Sequence, residues 1–397
     1  MLSNKSILII SPFFSPNIGG VETYLDDLVT GLRKKQWKIV VITYSPLTSC
    51  LKTCFYEKSK NLEIFRLPWI RFNLFYRLEK YSVFRFLYLF LGIFVFSFFY
   101  NFIFWKRFQI IHGHGLAAGL VSAIIGKCFS KKTVVSLHTI YKFHAESLSG
   151  KIAKIIFDKV DTVAVLSKKC KDHLISLGVK DEKIKVCHYW VDVSEIFQHG
   201  NKKSMRKKLK IDQNCFMILF VGRLTEEKGV RIVLKIIEQT NSQIQFFIVG
   251  DGPLRTEVES VAQKHKNVHF LGNMPSGNLP FWYSVADLLL WGSVDQDYVG
   301  RVTMHALSCG LPVILPSRTK YFGEEREVDS TIKNLHKKIW FVLSPNIKNV
   351  SHKLEKLSRK PKKLEKMSFR CRGFALKNYS EEKNIKAIIH IYQNFFV

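Results

Sequence analysis

A chain of 397 residues is too long for one ordinary hydrophobic core and suits two domains of similar size. Hydrophobic residues make up 47% of it, which excludes a disordered chain. The formal net charge of +29 suits nucleic acid, an anionic membrane face or anionic small substrates as partners, or reflects solubility or a bias toward lysine. That charge is not a tail effect: residues 1–195 carry 28 basic and 14 acidic side chains, and residues 196–397 carry 33 and 18. No zinc-finger spacing and no RNP string occurs, which argues against a nucleic-acid binder. The eight cysteines form no CxxC pair and no metal-ligand spacing, so reduced, buried thiols are expected. The opening MLSNKSILIISPFF has an apolar run too short for a signal peptide, and a cytoplasmic chain is expected.

In chain order, Lys5 to Ile10 reads as a buried parallel strand, broken by Ser11-Pro12. Gly19-Gly20 follows, then apolar residues at helical spacing (Val21, Leu25, Leu28, Val29, Leu32) and a second strand over Trp37 to Thr43. Strand, glycine loop, helix, strand is a βαβ opening. Further strands are expected at Leu62–Leu67, Ile110–His112, Thr133–Leu137, Val160–Leu166 and Ile184–Cys187, which makes a doubly wound domain of residues 1–195. The basic stretch Lys202 to Lys210 marks a passage, after which the alternation restarts. It runs through strands Phe216–Val221, Ile244–Val249, Val268–Phe270, Leu288–Trp291 and Pro312–Leu315, with helices at Val230–Gln239 and Leu254–Lys264. The second domain is assigned residues 196–378 and a closing helix residues 379–397. Two such domains are expected to face a cleft at the carboxyl ends of their strands.

Residues 86–105 are uncharged and mostly apolar, long enough to span a bilayer. They lie between two strands of one domain, so a span would divide its sheet across the membrane. A helix lying in the membrane interface, or packed on the sheet, is expected instead. Arg66, Arg71, Arg77, Lys80 and Arg85 precede it and Lys106-Arg107 close it, which suits an anionic leaflet.

Four places carry chemistry. Gly19-Gly20-Val21-Glu22 lets backbone come close to an anion at a helix start, or is a tight turn. In Gly222-Arg223-Leu224-x-x-Glu227-Lys228-Gly229, two cations follow a buried strand where a helix opens, placed to neutralise a diphosphate leaving group. Asp297 to His305 runs into Ala306-Leu307-Ser308-Cys309-Gly310-Leu311-Pro312-Val313. His112, His114 and His138 stand at strand carboxyl ends, either facing a ligand or as satisfied core histidines; no third ligand for a metal is evident.

Together these strings resemble the retaining GT-B glycosyltransferases related to glycogen and sucrose synthases and phosphatidylinositol mannosyltransferases. The resemblance runs from about Ile7 to Tyr392 and is strongest in the second half. It implies two Rossmann-like domains and transfer of a sugar, with retention, from a UDP-, GDP- or ADP-sugar and without a metal or other cofactor. It implies that Gly19, Gly20 and Glu22 lie near donor phosphate and acceptor, and that Arg223 and Lys228 hold the diphosphate. It places Asp297 by the donor sugar, with Asp295 its rival, and Val299, Gly300 and His305 on the substrate. His138 would assist at the reacting centre, and Gly250-Asp251-Gly252-Pro253 would be a structural turn. The chain departs from the family where His305 replaces a ribose-binding Glu and Asp297 another Glu, where Thr139 follows His138 in place of Asp, at Tyr189-Trp190-Val191-Asp192, and over Lys320 to Val328. The charge and the apolar helix imply a peripheral enzyme of the inner membrane face with a glycan or lipid-linked acceptor, a soluble sugar being the alternative acceptor. The alternatives are an inactive sugar-nucleotide-binding homologue and a sugar-nucleotide epimerase of the same fold.

Overall fold

A computed structural model of the chain describes residues 5–17, 19–48, 51–70, 74–138, 147–191, 202–291, 300–316, 340–343 and 346–396. The chain divides into two compact units, Met1–Tyr189 with Glu382–Val397, and Trp190–Glu381.

The first unit contains β1 (Ser6–Ile10), α1 (Gly20–Lys34), β2 (Lys38–Tyr44), β3 (Tyr56–Ser59), β4 (Leu62–Leu67), α2 (Leu74–Arg77) and α3 (Ser82–Ile103). It continues through β5 (Ile110–His114), α4 (Leu116–Cys128), β6 (Lys132–Ser136), α5 (Leu148–Lys159), β7 (Thr162–Val165), α6 (Lys168–Ser176) and β8 (Ile184–Val186). Its eight strands are ordered β3-β4-β2-β1-β5-β6-β7-β8 and are parallel except β3. β1 is buried along its whole length, as its unbroken Ile/Leu run requires of a strand covered on both faces. The antiparallel edge strand β3 has no counterpart in the expected elements. All four of its residues are exposed, so no burial pattern marks it.

The second unit contains α7 (Lys202–Lys208), β9 (Phe216–Val221), α8 (Val230–Glu238), β10 (Ile244–Val249), α9 (Arg255–Lys264), β11 (Val268–Gly272) and α10 (Leu279–Val285). β12 (Leu288–Leu290), α11 (Arg301–Ser308), β13 (Val313–Pro316), β14 (Trp340–Leu343), α12 (Ile347–Ser358) and α13 (Pro361–Tyr379) follow. The six parallel strands are ordered β11-β10-β9-β12-β13-β14, the doubly wound arrangement whose order reverses between β9 and β12. β14 likewise has no counterpart among the expected strands. α7 is locked down by Arg206, 3% exposed, which donates to the carbonyls of Val285, Gln213 and Cys215 and to Asp287 Oδ2 at 2.8 Å. Such a buried ion is tolerated because its hydrogen bonds are made. The last helix, α14 (Glu381–Gln393), counts with the first unit from Glu382 on.

α3 is the expected apolar helix, shifted a few residues towards the N-terminus. Two side chains of the sheet side fix it in place. The Tyr44 hydroxyl enters its backbone ladder, donating to Leu89 O at 3.1 Å and accepting from Ile93 N–H at 2.8 Å. Trp69 stacks on Tyr44 and donates from Nε1 to Tyr88 O at 2.9 Å, filling the notch left by Gly92. The inner face holds Tyr88, Ile93 and Tyr100, together with the fully buried Ser97 and Asn101. The outer face is a stripe of Phe84, Leu87, Leu91, Val95, Phe99 and Phe102, all exposed. The helix is apolar on both faces: Leu89, Phe90, Phe94 and Phe96 pack on the core beside Ser97 and Asn101, and the outer face, polar in an ordinary amphipathic helix, is apolar too.

A methyl group on Gly92 would stand 2.5 Å from the Trp69 ring. Overpacking costs about 1–3 kcal/mol and helix propensity returns at most about 1, so Gly92→Ala is expected to lose roughly 1–2 kcal/mol in urea unfolding. An unchanged midpoint would show that Trp69 is free to move aside.

Candidate active site

In open parallel sheets, ligands bind beyond the carboxyl ends of the strands where the strand order reverses. In the first unit that point lies between β1 and β5, which pair directly. The loop after β1 leads to Gly19-Gly20, and α1 begins at Gly20. Glu22, nearly buried, accepts from Asn17 Nδ2 at 2.8 Å, and Asn17 Oδ1 in turn accepts from Thr48 Oγ1 at 2.6 Å. A Cβ on Gly19 would stand 2.3 Å from Glu22 Oε2, so a side chain here would displace the Glu22 carboxylate; Gly20 faces open space.

At the end of β5, His112 and His114 lie on one face of the strand. Gly113 lies on the other, where a Cβ would meet Ser122 Oγ at 2.5 Å and the Ala118 carbonyl at 2.6 Å. The H-G-H string therefore packs α4 on one side and gathers imidazoles on the other. His112 is satisfied at both nitrogens, by the Tyr392 hydroxyl at 2.7 Å and Ser136 Oγ at 2.8 Å. His114 Nδ1 meets His138 Nε2 at 2.9 Å, and His138 Nδ1 meets the Tyr189 hydroxyl at 3.0 Å. The Tyr24 ring packs on His138 and Tyr189, each with centroids 5.0 Å away. Burial pushes His112 and His138 down to about 3, and His114 well below its ordinary value, the neighbouring imidazoles adding to the effect on His112 and His114. All three are neutral near pH 7. Asn17, Tyr24 and Tyr392 were not expected as site residues from the sequence, where nothing in their spacing marks them.

In the second unit the switch point is β9 beside β12. Beyond β9, Gly222 N donates to Val249 O and Leu224 N to Asp251 O, while Leu254 N donates to Leu224 O. Gly250 and Gly252, at φ +146 and +155, let the two loops touch: a Cβ on Gly250 would lie 1.9 Å from Gly222 O. The GDGP turn is thus the brace that holds Gly222-Arg223-Leu224, with Leu224 fully buried as its anchor. Glu226–Lys228 form a 3₁₀ turn closed by Gly229 at φ +68, and α8 starts directly after. Arg231 is consumed by Glu226 at 3.1 Å and by both oxygens of Glu257. Arg223, exposed on the same loop, forms no ion pair among the described residues; Lys228 is half-buried.

Gly300 precedes α11, and Thr303 on its first turn is fully buried. His305, half-buried in the last turn, stacks against Tyr283 with centroids 6.2 Å apart. Burial, with Arg301 one turn earlier, pushes it down to about 3, so it is a neutral donor and acceptor. Arg301 was not expected from the sequence; its position four residues before His305 was the available signal. The Ala306–Val313 tail is a helix stop: Leu311 N donates to Ala306 O and Gly310 N to Leu307 O, with Gly310 at φ +71 against Ser368 of α13. Asp295, Asp297, Val299, Thr139, Asp192 and Lys320 to Val328 lie outside the described residues. Among the described residues no group of three His, Cys, Asp or Glu is arranged to hold a metal.

Buried neutral histidines link stability to pH. Unfolded, they titrate near 6.5; folded, His112 and His138 are held to about 3. Below pH 6.5 the unfolded chain binds protons that the native one does not, so stability falls by up to about 1.4 kcal/mol per pH unit per histidine. Urea unfolding from pH 7.5 to 5.0 is expected to show this steep loss; a flat profile would mean that the rings reach water.

Comparison with known proteins bears on both units. Residues 18–195 match the family model described as Glycosyltransferase Family 4, and residues 201–372 that described as Glycosyl transferases group 1. The GPI3 subunit of phosphatidylinositol N-acetylglucosaminyltransferase from Saccharomyces cerevisiae is 23% identical over 360 residues, 85% of this chain and 76% of that one. The gpi3 subunit of the Schizosaccharomyces pombe enzyme is 24% identical over 342 residues, covering 81% and 70%. Among solved structures, Anabaena HepE in complex with UDP superposes with a TM-score of 0.76 at 18% identity over 98% of this chain and 100% of that one. Sucrose-phosphate synthase from Thermosynechococcus elongatus gives 0.76 at 18% identity over 98% and 99%. The chain belongs to the group 1, family 4 glycosyltransferases, retaining enzymes of GT-B fold that take their sugar from a nucleotide-sugar donor.

Proposed function

We propose that this enzyme transfers a sugar from a nucleoside-diphosphate sugar to a glycan or lipid-linked acceptor while docked peripherally on the cytoplasmic membrane face. Arg223, without an ion pair among the described residues and held on a braced loop at the switch point of the second sheet, carries the donor half of the reading. When the bond to the anomeric carbon breaks, negative charge collects on the departing diphosphate. Arg223 offers it a planar fork of donors and Lys228 a point charge, both pre-positioned by GDGP and the 3₁₀ turn. Asp297 orients the donor sugar, Val299 and Gly300 line its approach, and neutral His305 takes a ribose hydroxyl where relatives have Glu. Gly19, Gly20 and Glu22 serve the phosphate and acceptor, and the cluster containing His138 assists at the sugar. HepE in complex with UDP-glucose supports a UDP-sugar as the first donor to try.

The exposed apolar outer face of α3 supports the membrane half. Leu91 is 50% exposed, Phe99 60% and Phe102 67%, a stripe that water does not favour. Lys80, Lys106, Lys127 and Lys132 stand exposed near the helix ends or on the neighbouring α4 and β6, and Lys106 sits over the Trp105 ring. Tyr44 and Trp69 hold the inner face to the sheet, which favours a helix lying flat over one crossing the bilayer. A second reading, a sugar-nucleotide binder without transferase activity, draws on His305 standing where relatives carry a carboxylate.

The deciding experiment is a thermal-shift panel of UDP-, GDP- and ADP-sugars on the native protein and on Arg223→Ala/Lys228→Ala. A ligand at about 100 times its Kd adds roughly 2.7 kcal/mol, so one nucleotide class is expected to stabilise the native protein and not the variant. Binding without any transfer or donor hydrolysis would select the second reading; equal shifts in both proteins would remove the diphosphate role. Flotation with anionic vesicles is expected for the native protein and lost in Leu91→Glu/Phe99→Glu; binding retained by the variant would place the contact elsewhere.

A further inference from the structure

His112, His114 and His138 have six ring nitrogens between them. Five have a partner inside the protein. The sixth, His114 Nε2, is fully buried and has none among the described residues. A buried polar atom without a partner forfeits its hydration, and such atoms in folded proteins call for an explanation. His138, by contrast, has both nitrogens engaged, one by His114 and one by Tyr189. His112 is closed off by Tyr392 and Ser136, and its ring lies under that of His114 with centroids 4.0 Å apart.

Hydrogen-bond accounting makes Tyr189, His138 and His114 a single chain. Each neutral imidazole has one N–H and one lone pair. If the Tyr189 hydroxyl donates to His138 Nδ1, His138 Nε2–H donates to His114 Nδ1, and His114 Nε2 carries a proton. If Tyr189 accepts, both bonds reverse and His114 Nε2 offers a lone pair. The two histidines thus share one tautomer in either state, and the last nitrogen changes from donor to acceptor when the first hydroxyl turns. A neutral nitrogen of either sense suits a hydroxyl, which both donates and accepts, better than a phosphate, which near pH 7 calls for a cation. We propose that His114 Nε2 is the nitrogen of this cluster that meets a hydroxyl of the bound sugar, and that Tyr189 and His138 are positioning residues that set whether it donates or accepts. The inference deepens the sugar-nucleotide reading given above and rests on it for the ligand, but not for the hydrogen-bond chain.

Two measurements test it. The first is steady-state transfer or donor hydrolysis with the nucleotide sugar selected by thermal shift, on His114→Leu and His114→Gln, with UDP alone as the probe that lacks a sugar. His114→Leu is expected to lower kcat/KM about 10–100-fold, the loss of one hydrogen bond, with UDP binding unchanged. His114→Gln, which keeps a donor and an acceptor, is expected to recover most of it. His114→Leu turning over within twofold of the native enzyme, or losing UDP binding, would overturn the contact. The second is ring-¹⁵N correlation spectroscopy on the native protein and Tyr189→Phe, which needs no substrate. His114 and His138 are expected in the same tautomer, and Tyr189→Phe to shift the ring nitrogens of both although the hydroxyl it removes bonds His138 alone of the two. Opposite tautomers, or an unmoved His114, would overturn the relay even if the enzyme is an active transferase.

Discussion

A strand in a parallel sheet with helices on both faces has nowhere along its length to put a polar side chain, so polar groups gather where strands end. β9 is apolar throughout and β1 from Ile7 on, and the loops that follow their carboxyl ends, leading to Gly19-Gly20 and to Gly222-Arg223, are where each unit gathers groups able to meet a charged ligand. The reversal of strand order beside each of them keeps the next connection from covering that spot. The glycines follow from the same constraint. Gly113, Gly250 and Gly252 stand where a helix or a second loop must come within contact distance of backbone, and Gly19 where the Glu22 carboxylate needs the space.

Two clusters, one in each unit, handle buried polarity differently. Around Asp287 every charge is answered: Arg206 and Lys202 meet its carboxylate, and Met217 N donates to it as well. That cluster ties α7 to the sheet and leaves nothing over. The imidazole cluster of the first unit is neutral, almost satisfied, and tied to side chains from four other places in the chain: Tyr24, Ser136, Tyr189 and Tyr392. A network that is complete except at His114 Nε2 keeps one hydrogen bond to give, and the proposed sugar contact rests on that capacity.

Much of this was legible in the sequence. Buried strands announced themselves as short Ile/Val/Leu runs, and their alternation with helices gave the doubly wound class. The Arg223–Lys228 string marked a candidate anion site by chemistry alone. What escaped was whatever depends on a partner far along the chain. Nothing near His112 reveals that residue 392 will satisfy it, and nothing in GDGP reveals that Gly250 must clear the Gly222 carbonyl. Local burial failed too where it was absent, as in the exposed β3. For α3, hydrophobicity on nearly all sides hid its two faces. Only the fold shows that Ser97 and Asn101 mark the inner one.

The bond between Tyr392 and His112 also bears on synthesis. The first unit is discontinuous, and the residues that complete it are made only after the second unit. Chains grow at about 5–20 residues per second, so the stretch between Tyr189 and Glu382 takes roughly 10–40 s to make. For that interval His112 and Trp37, which pack on Tyr392 in the finished protein, lack their partner, and the nascent first sheet must persist unfinished while the second unit is being made. The order of translation therefore sets the order of assembly: the histidine cluster closes only after the whole second unit has been made.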